Sequence, residues 1–272
     1  LIGSVVSMEA RGVRGPVAMF QTGTPNQRDI TALKTNIQKP LTSSLAAAVY
    51  DIMPNDTDVT EFLPLGPDVA NYAVGEGVAF YHTPGDNLAN LDKRSLFHMG
   101  ANGLSAVEAY LASPESGDEG QWLYTDIFGL FILSMPVFLG MIFVALGLVG
   151  SLILYGKSAR GGALKALLYP PATLFLGVGF AVAVTAMAAF IRPEANYASA
   201  YPFALRGAQT AAALLGAFLA FKLLAFQVPR QRLAAAGWMW FGVFGAVMAA
   251  FLPGGLILFA PPLAIIALAG LL

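Results

Sequence analysis

Residues 114–140 read PESGDEGQWLYTDIFGLFILSMPVFLG, and the character of the chain changes within them. The first seven are polar, acidic and rich in turn formers, as expected of a linker leaving a folded domain. From residue 127 onward come five apolar stretches, at roughly 127–155, 167–191, 203–226, 233–252 and 255–272. Most are close to the ~20 residues that a spanning helix needs. The expectation is an α/β domain over residues 1–113, a linker over 114–124, and an all-α bundle of about five transmembrane helices over 125–272.

Composition agrees with that division. Apolar residues make up 57% of the chain and charged ones only 11%, outside the range of ordinary soluble domains. The net charge of -1 hides an asymmetry: residues 1–123 carry 7 Lys/Arg against 14 Asp/Glu, and residues 124–272 carry 8 against 2. A domain this acidic gives no signal for binding nucleic acid. Cysteine is absent, so a metal would be held by oxygen and imidazole.

Loop charges predict the orientation. Lys157, Arg160 and Lys165 follow the first span, Arg230 and Arg232 follow the third with Lys222 nearby, and no acid accompanies them. Such connections are cytoplasmic. The balanced stretch Arg192-Pro193-Glu194 then faces the other side, and so does the domain before residue 127. That side is periplasmic or extracellular in a bacterium and lumenal in a eukaryote. Pro136, Pro170-Pro171 and Pro261-Pro262 should kink or break spans. Gly- and Ala-rich faces suit close helix packing, which leaves a homo-oligomer open. The opening Leu1-Ile2-Gly3-Ser4-Val5-Val6 lacks the features of a signal peptide and reads as a strand entered partway through a domain. The expectation is a fragment, truncated at its apolar C-terminus too.

Within the first part, residues 4–10 and 16–22 read as strands around the turn Arg11-Gly12-Val13-Arg14-Gly15. Thr24-Pro25-Asn26-Gln27 looks like a helix start, with the helix running to about Ile37, and a second helix fits residues 41–52. Residues 71–74 and 78–81 read as strands. A last helix begins near Asp92 and should carry Leu96, Met99, Val107 and Tyr110 on its apolar stripe.

Four residues are candidates for chemistry. His82 stands in the loop Tyr81-His82-Thr83-Pro84-Gly85-Asp86-Asn87 after a strand, where α/β sheets form sites. The plain reading is a turn histidine held by Asp86; the other is a metal ligand. Glu9 is either a solvated strand end or a carboxylate aimed into a site at the sheet's edge. Asp58, with Glu61 three residues on, reads as a helix cap, and Asp56 is free to orient a metal-bound histidine. Tyr81 adjoins His82. His98 lies off the apolar stripe and reads as a surface residue.

In order and spacing these segments resemble the di-zinc aminopeptidases, most closely the membrane-embedded branch that includes endoplasmic reticulum metallopeptidase and vacuolar membrane protease. Ser7-Met8-Glu9-Ala10-Arg11-Gly12-Val13-Arg14-Gly15-Pro16 is similar to the family's strand with an acidic zinc ligand. Asn55-Asp56-Thr57-Asp58 is similar to its Ser-Asp-Thr-Asp segment, with Asn55 in place of Ser, and Tyr81-His82-Thr83 to its last histidine loop. The resemblance implies the C-terminal part of a zinc-peptidase sandwich, a mixed sheet with flanking helices. It implies Glu9 and His82 as ligands to two Zn2+ ions, Asp56 in support, Tyr81 polarising the scissile carbonyl, and peptides as substrates. The other histidine ligand, the bridging aspartate and the paired glutamates find no match and are expected upstream of Leu1. Two rival expectations are a non-catalytic peptidase-like scaffold in a membrane complex and the accessory domain of a transporter. Against the transporter, the only acids after residue 123 are Asp126 and Glu194, both at span edges.

Overall fold

The computed structural model describes residues 2–54, 56–113, 120–158, 161–191 and 201–271. Asn55, Arg160, Arg192-Pro193-Glu194 and residues 114–119 of the expected linker lie outside the described residues. The chain is an α/β domain followed by a helical bundle, and it divides into two compact units, Leu1–Val144 with Gly245–Pro262 and Ala145–Phe244 with Leu263–Leu272.

In the first unit, β1 (Ser4–Ala10), β2 (Arg14–Thr22) and β3 (Asp68–Glu76) form a sheet in the order β1-β3-β2. β3 runs parallel to β1 and antiparallel to β2. The register aligns Met8, Tyr72 and Met19 across the three strands, and the next row aligns Glu9, Ala73 and Ala18. Successive side chains on a strand point to opposite faces, so an apolar face and a more polar face result. The apolar face is covered by α1 (Gln27–Leu33) and α3 (Lys93–Ala112), which close a core of Val17, Met19, Ile30, Leu33, Tyr72, Val74, Met99 and Tyr110.

The sheet continues sideways by a short segment. Met19 donates its N–H to Leu41 O, the Thr42 hydroxyl donates to Met19 O, and Asp126 donates its N–H to Thr42 O. Residues 41–43 thereby join the sheet to the hairpin β4 (Trp122–Ile127) and β5 (Phe131–Pro136). The expected first span at 127 is thus a hairpin followed by α4 (Val137–Lys157). Pro136 ends β5 rather than kinking a helix.

Other expectations shift in similar ways. Thr24 does not cap α1; Asn26 precedes it, its amide group bonded to the backbone of Trp122, and the helix stops at Leu33. Thr57, not Asp58, caps the 3-10 turn Asp58–Glu61, in a reciprocal bond pattern with Thr60. Residues 78–80 form a 3-10 turn and not a strand. On α3, Met99 and Tyr110 are buried as expected, but Leu96 and Val107 are 58% and 43% exposed.

Asp29 fastens the domain. Its carboxylate accepts N–H bonds from Gly23 at the end of β2 (2.6 Å) and Val69 at the start of β3 (2.9 Å), and a hydroxyl bond from Tyr110 of α3 (2.9 Å). The residue is 0% exposed. One side chain on α1 thus ties two strands to the helix that covers them.

The helix α2 (Ser44–Asp51) is capped by the Ser43 hydroxyl, which accepts the Leu45 N–H. Its first residue reaches the bundle: Ser44 Oγ donates to Gly254 O at 2.8 Å, in the short turn between the last two spans.

Among the described residues five helices are long and apolar enough to cross a membrane: α4, α5 (Ala163–Ile191), α6 (Pro202–Ala220, continued by a five-residue π turn), α7 (Arg230–Phe251) and α8 (Leu256–Leu271). Pro170-Pro171 and Pro261-Pro262 lie inside α5 and α8 without ending them. In the second unit α4 packs closely on α8, since a Cβ at Gly147 would stand 2.7 Å from Leu263 O. Small residues permit this approach where apolar burial alone gives helices no reason to associate.

Pro171 cannot donate to the carbonyl of Leu167 four residues earlier, and in lipid an unmet carbonyl is costly. Trp240 of α7 meets the need, its indole N–H donating to Leu167 O at 2.8 Å. Trp240→Phe should therefore cost about 1 kcal/mol. The cost should shrink in a Pro171→Ala background, where the helix supplies its own donor; a thermal-unfolding double-mutant cycle reads the difference.

Candidate functional site

β1 and β3 are parallel, so their carboxyl ends lie at the same edge of the sheet. Glu9 is one residue from the end of β1, and His82 follows the 3-10 turn that leaves β3. Ligand sites in α/β sheets form outside such strand ends. Glu9 is half-buried on the face opposite the core, paired in register with Ala73, and accepts the Ser7 hydroxyl at 3.4 Å.

His82 is exposed, with a left-handed φ of 56°. This conformation is uncommon outside glycine and collects at sites where surrounding structure holds it. No bond joins His82 to Asp86. Its ring stacks on Tyr81 with centroids 3.8 Å apart, and the Arg11 guanidinium lies 5.7 Å over the Tyr81 ring. Arg11 is two residues beyond Glu9, so this stack of guanidinium, phenol and imidazole ties the histidine loop to the end of the glutamate's strand.

A second group gathers beside Glu9. Tyr50, near the end of α2, packs edge-on against Phe20 at 4.7 Å. Burial raises its phenol above the ordinary value, and the charges of Asp56, Glu9 and Asp51 push it the same way. Burial likewise raises the Asp51 carboxyl, against a hydrogen bond from Gln21. The charges of three carboxylates thus act on one phenol, and two of them, Glu9 and Asp56, were sequence candidates.

The segment that carries Asp56 is anchored from below. Asn71 is 0% exposed in the middle of β3. Its amide donates to Gln21 Oε1 at 3.0 Å and to Thr57 Oγ1 at 2.8 Å, while its Oδ1 has no partner. A buried polar side chain inside a strand was the available signal for this role, since such groups are retained where they are bonded.

Glu9 and Asp56 thus join one group, and Tyr81 and His82 join another. Among the described residues no three His, Asp or Glu side chains come together as a metal centre. Zinc prefers four ligands, so the described residues by themselves do not make up a zinc site.

His98 belongs to neither group and is not a free surface residue. Its Nδ1 accepts the Val17 N–H at 3.2 Å, and its Nε2 lies 3.1 Å from Gln38 O, which defines the tautomer with hydrogen on Nε2.

Residues 1–107 match peptidase family M28. The human endoplasmic reticulum metallopeptidase 1 is 29% identical over 166 residues, covering 58% of this chain and 18% of the relative. The rat protein of the same name is 30% identical over 151 residues, covering 52% and 17%. The Caenorhabditis elegans putative endoplasmic reticulum metallopeptidase 1-A is 28% identical over 148 residues, covering 51% and 16%. The chain thus spans less than a fifth of the length of these relatives. The human match covers more residues than precede α4, so the likeness extends into the spanning region. No solved structure matches the chain significantly. The chain resembles peptidase family M28 over its first 107 residues, in the branch of the endoplasmic reticulum metallopeptidases.

Proposed function

We propose that this chain is part of a membrane-anchored zinc metallopeptidase of aminopeptidase type, residues 1–113 contributing to the peptidase domain and the five helices holding it at the bilayer. The observation that supports the reading is that Arg11, two residues beyond Glu9, lies over the Tyr81 ring, which stacks on His82. Glu9 and His82 are the metal ligands this chain supplies, one to each ion of a two-zinc centre. Asp56 supports the site from beside Tyr50. Among the described residues no further ligand joins these two. Zinc, when bound, supplies an activated water and charge stabilisation for peptide hydrolysis. Tyr81, 37% exposed, is the residue that would donate to a substrate carbonyl in this reading.

The domain faces the non-cytoplasmic side in this reading. Ser44 meets Gly254, so the turn between the fourth and fifth spans lies on the domain's side. Four crossings return the chain to that side, which leaves the basic connections near Lys157 and Arg230 on the other, cytoplasmic one.

The test is a chelator. Removing zinc from the whole protein should abolish release of N-terminal residues from peptides, and adding zinc should restore it. Hydrolysis indifferent to the chelator rejects the proposal. A peptidase-shaped scaffold is the reading that survives if zinc-loaded whole protein hydrolyses nothing.

A further inference from the structure

The second unit gathers its cations at one end. Lys157 closes α4, Lys165 lies in the first turn of α5, and Arg230 and Arg232 open α7. Three interactions lock these helix ends together. Tyr155 donates its hydroxyl to Ala163 O at 3.0 Å, and the Arg232 guanidinium sits 4.9 Å over the Tyr155 ring. Beneath them Ala166, Val228 and Ala236 form a small core flanked by Tyr155 and Leu233. Gly162 lies so close to Val228 that an added Cβ would stand 2.8 Å from its side chain. The two connections therefore form one surface. Lys157, Lys165 and Arg230 are exposed on it. Lys222, in the π turn that leads toward it, lies 5.6 Å over the Phe218 ring and 4.8 Å over the Phe226 ring.

Among the described residues no ion pair forms at Lys157, Lys165 or Arg230, and after Asp126 the sequence holds only Glu194 as an acid, which follows the opposite end of α5 in sequence. Like charges held together repel unless an anion joins them. The helices that carry them are long and apolar enough to cross a bilayer, so their ends stand at the depth of lipid headgroups. Stems of Lys and Arg lie along apolar helix surface there and deliver the charge to that depth. A soluble polyanion has no comparable reason to be present.

We infer that the surface formed by residues 155–158, 161–166 and 222–236 binds the phosphate groups of anionic lipids. Lys157, Lys165 and Arg230 provide the attraction, and Arg232, held on Tyr155, fixes the arrangement of the two connections. Each cation close to an anionic leaflet contributes favourably, and the effect is screened by salt.

The experiment uses the full chain in nanodiscs of phosphatidylcholine alone, or with roughly a third phosphatidylglycerol, and reads the unfolding midpoint. The midpoint should be higher by about 3 °C or more in the anionic discs, and high salt should erase the difference. The triple variant Lys157→Gln, Lys165→Gln, Arg230→Gln should keep its midpoint in phosphatidylcholine and lose the shift. Arg206→Gln, in the second turn of α6 at the other end of the spans, should retain it. Equal midpoints in both lipids, a shift that persists in the triple variant, or one lost in Arg206→Gln would overturn the inference. So would a shift reproduced by inorganic phosphate in phosphatidylcholine discs, which would make the ligand a free anion.

Discussion

If Glu9 and His82 are zinc ligands as proposed, Glu9→Gln or His82→Ala in the whole protein should lower peptide hydrolysis by more than about 100-fold, the upper figure for losing a group that only supports a metal ligand. The two residues are bonded to little else. Glu9 accepts one weak bond from Ser7, and His82 makes a single ring contact in an exposed loop. Their loss should leave the unfolding midpoint almost unchanged while bound zinc, read by metal analysis, falls. His98→Ala is the opposite case. It removes two bonds that join α3 to β2 and to Gln38, so it should lower stability by about 1 kcal/mol and leave hydrolysis largely intact. If both histidine variants retain their midpoints and lose activity equally, the assignment of His82 is wrong.

Asp29→Ala should destabilise the fold by about 3–5 kcal/mol, because three donors then lose their acceptor in a place that water does not reach. The same side chain gives stability a pH dependence. Burial raises its carboxyl from 3.8 to about 8, with Asp68 adding to the rise and the bonds from Tyr110, Gly23 and Val69 opposing it. The folded state therefore holds a proton that the unfolded state has released. The contribution is fully present below pH 3.8, declines as pH rises, and is gone above about 8. Between pH 5 and 8 the wild type should lose stability from this group, whereas Asp29→Asn, which cannot titrate, should show a flatter profile. Parallel profiles for the two proteins would mean that Asp29 is ionised throughout.

Much of this architecture is legible in the residues themselves. Val5 and Val6 in β1 and the alternation in β2 announce strands, Asp92 announces α3, and the apolar runs announce the spans within a few residues. What misleads is continuity of apolar character. Phe131 to Met135 runs without a break into α4, and nothing local reveals that it pairs with β4. Residues 78–81 look extended because they are apolar, but Gly77 at φ 80° turns the chain into a 3-10 turn instead.

The site was legible only in part, for a related reason. Glu9, Asp56, Tyr81 and His82 sit in recognisable segments. Arg11, Asp51 and Asn71 do not, since their roles come from partners distant in sequence, as when Asn71 meets Gln21 and Thr57. Asp29 looks like any acid in a first helical turn. Its importance appears only when β2, β3 and α3 close around it.

The helix that begins at Ser44 against Gly254 ends at Tyr50 and Asp51, beside Glu9. Eight helical residues are about 12 Å long and act as a strut, not a tether. The far end of this helix is therefore held at a distance of about 12 Å, along its axis, from the turn between the last two spans. An extended polypeptide climbing from the bilayer surface covers it in about four residues. Under the proposed function, a chain anchored in the same leaflet would need only a short free end to reach that point.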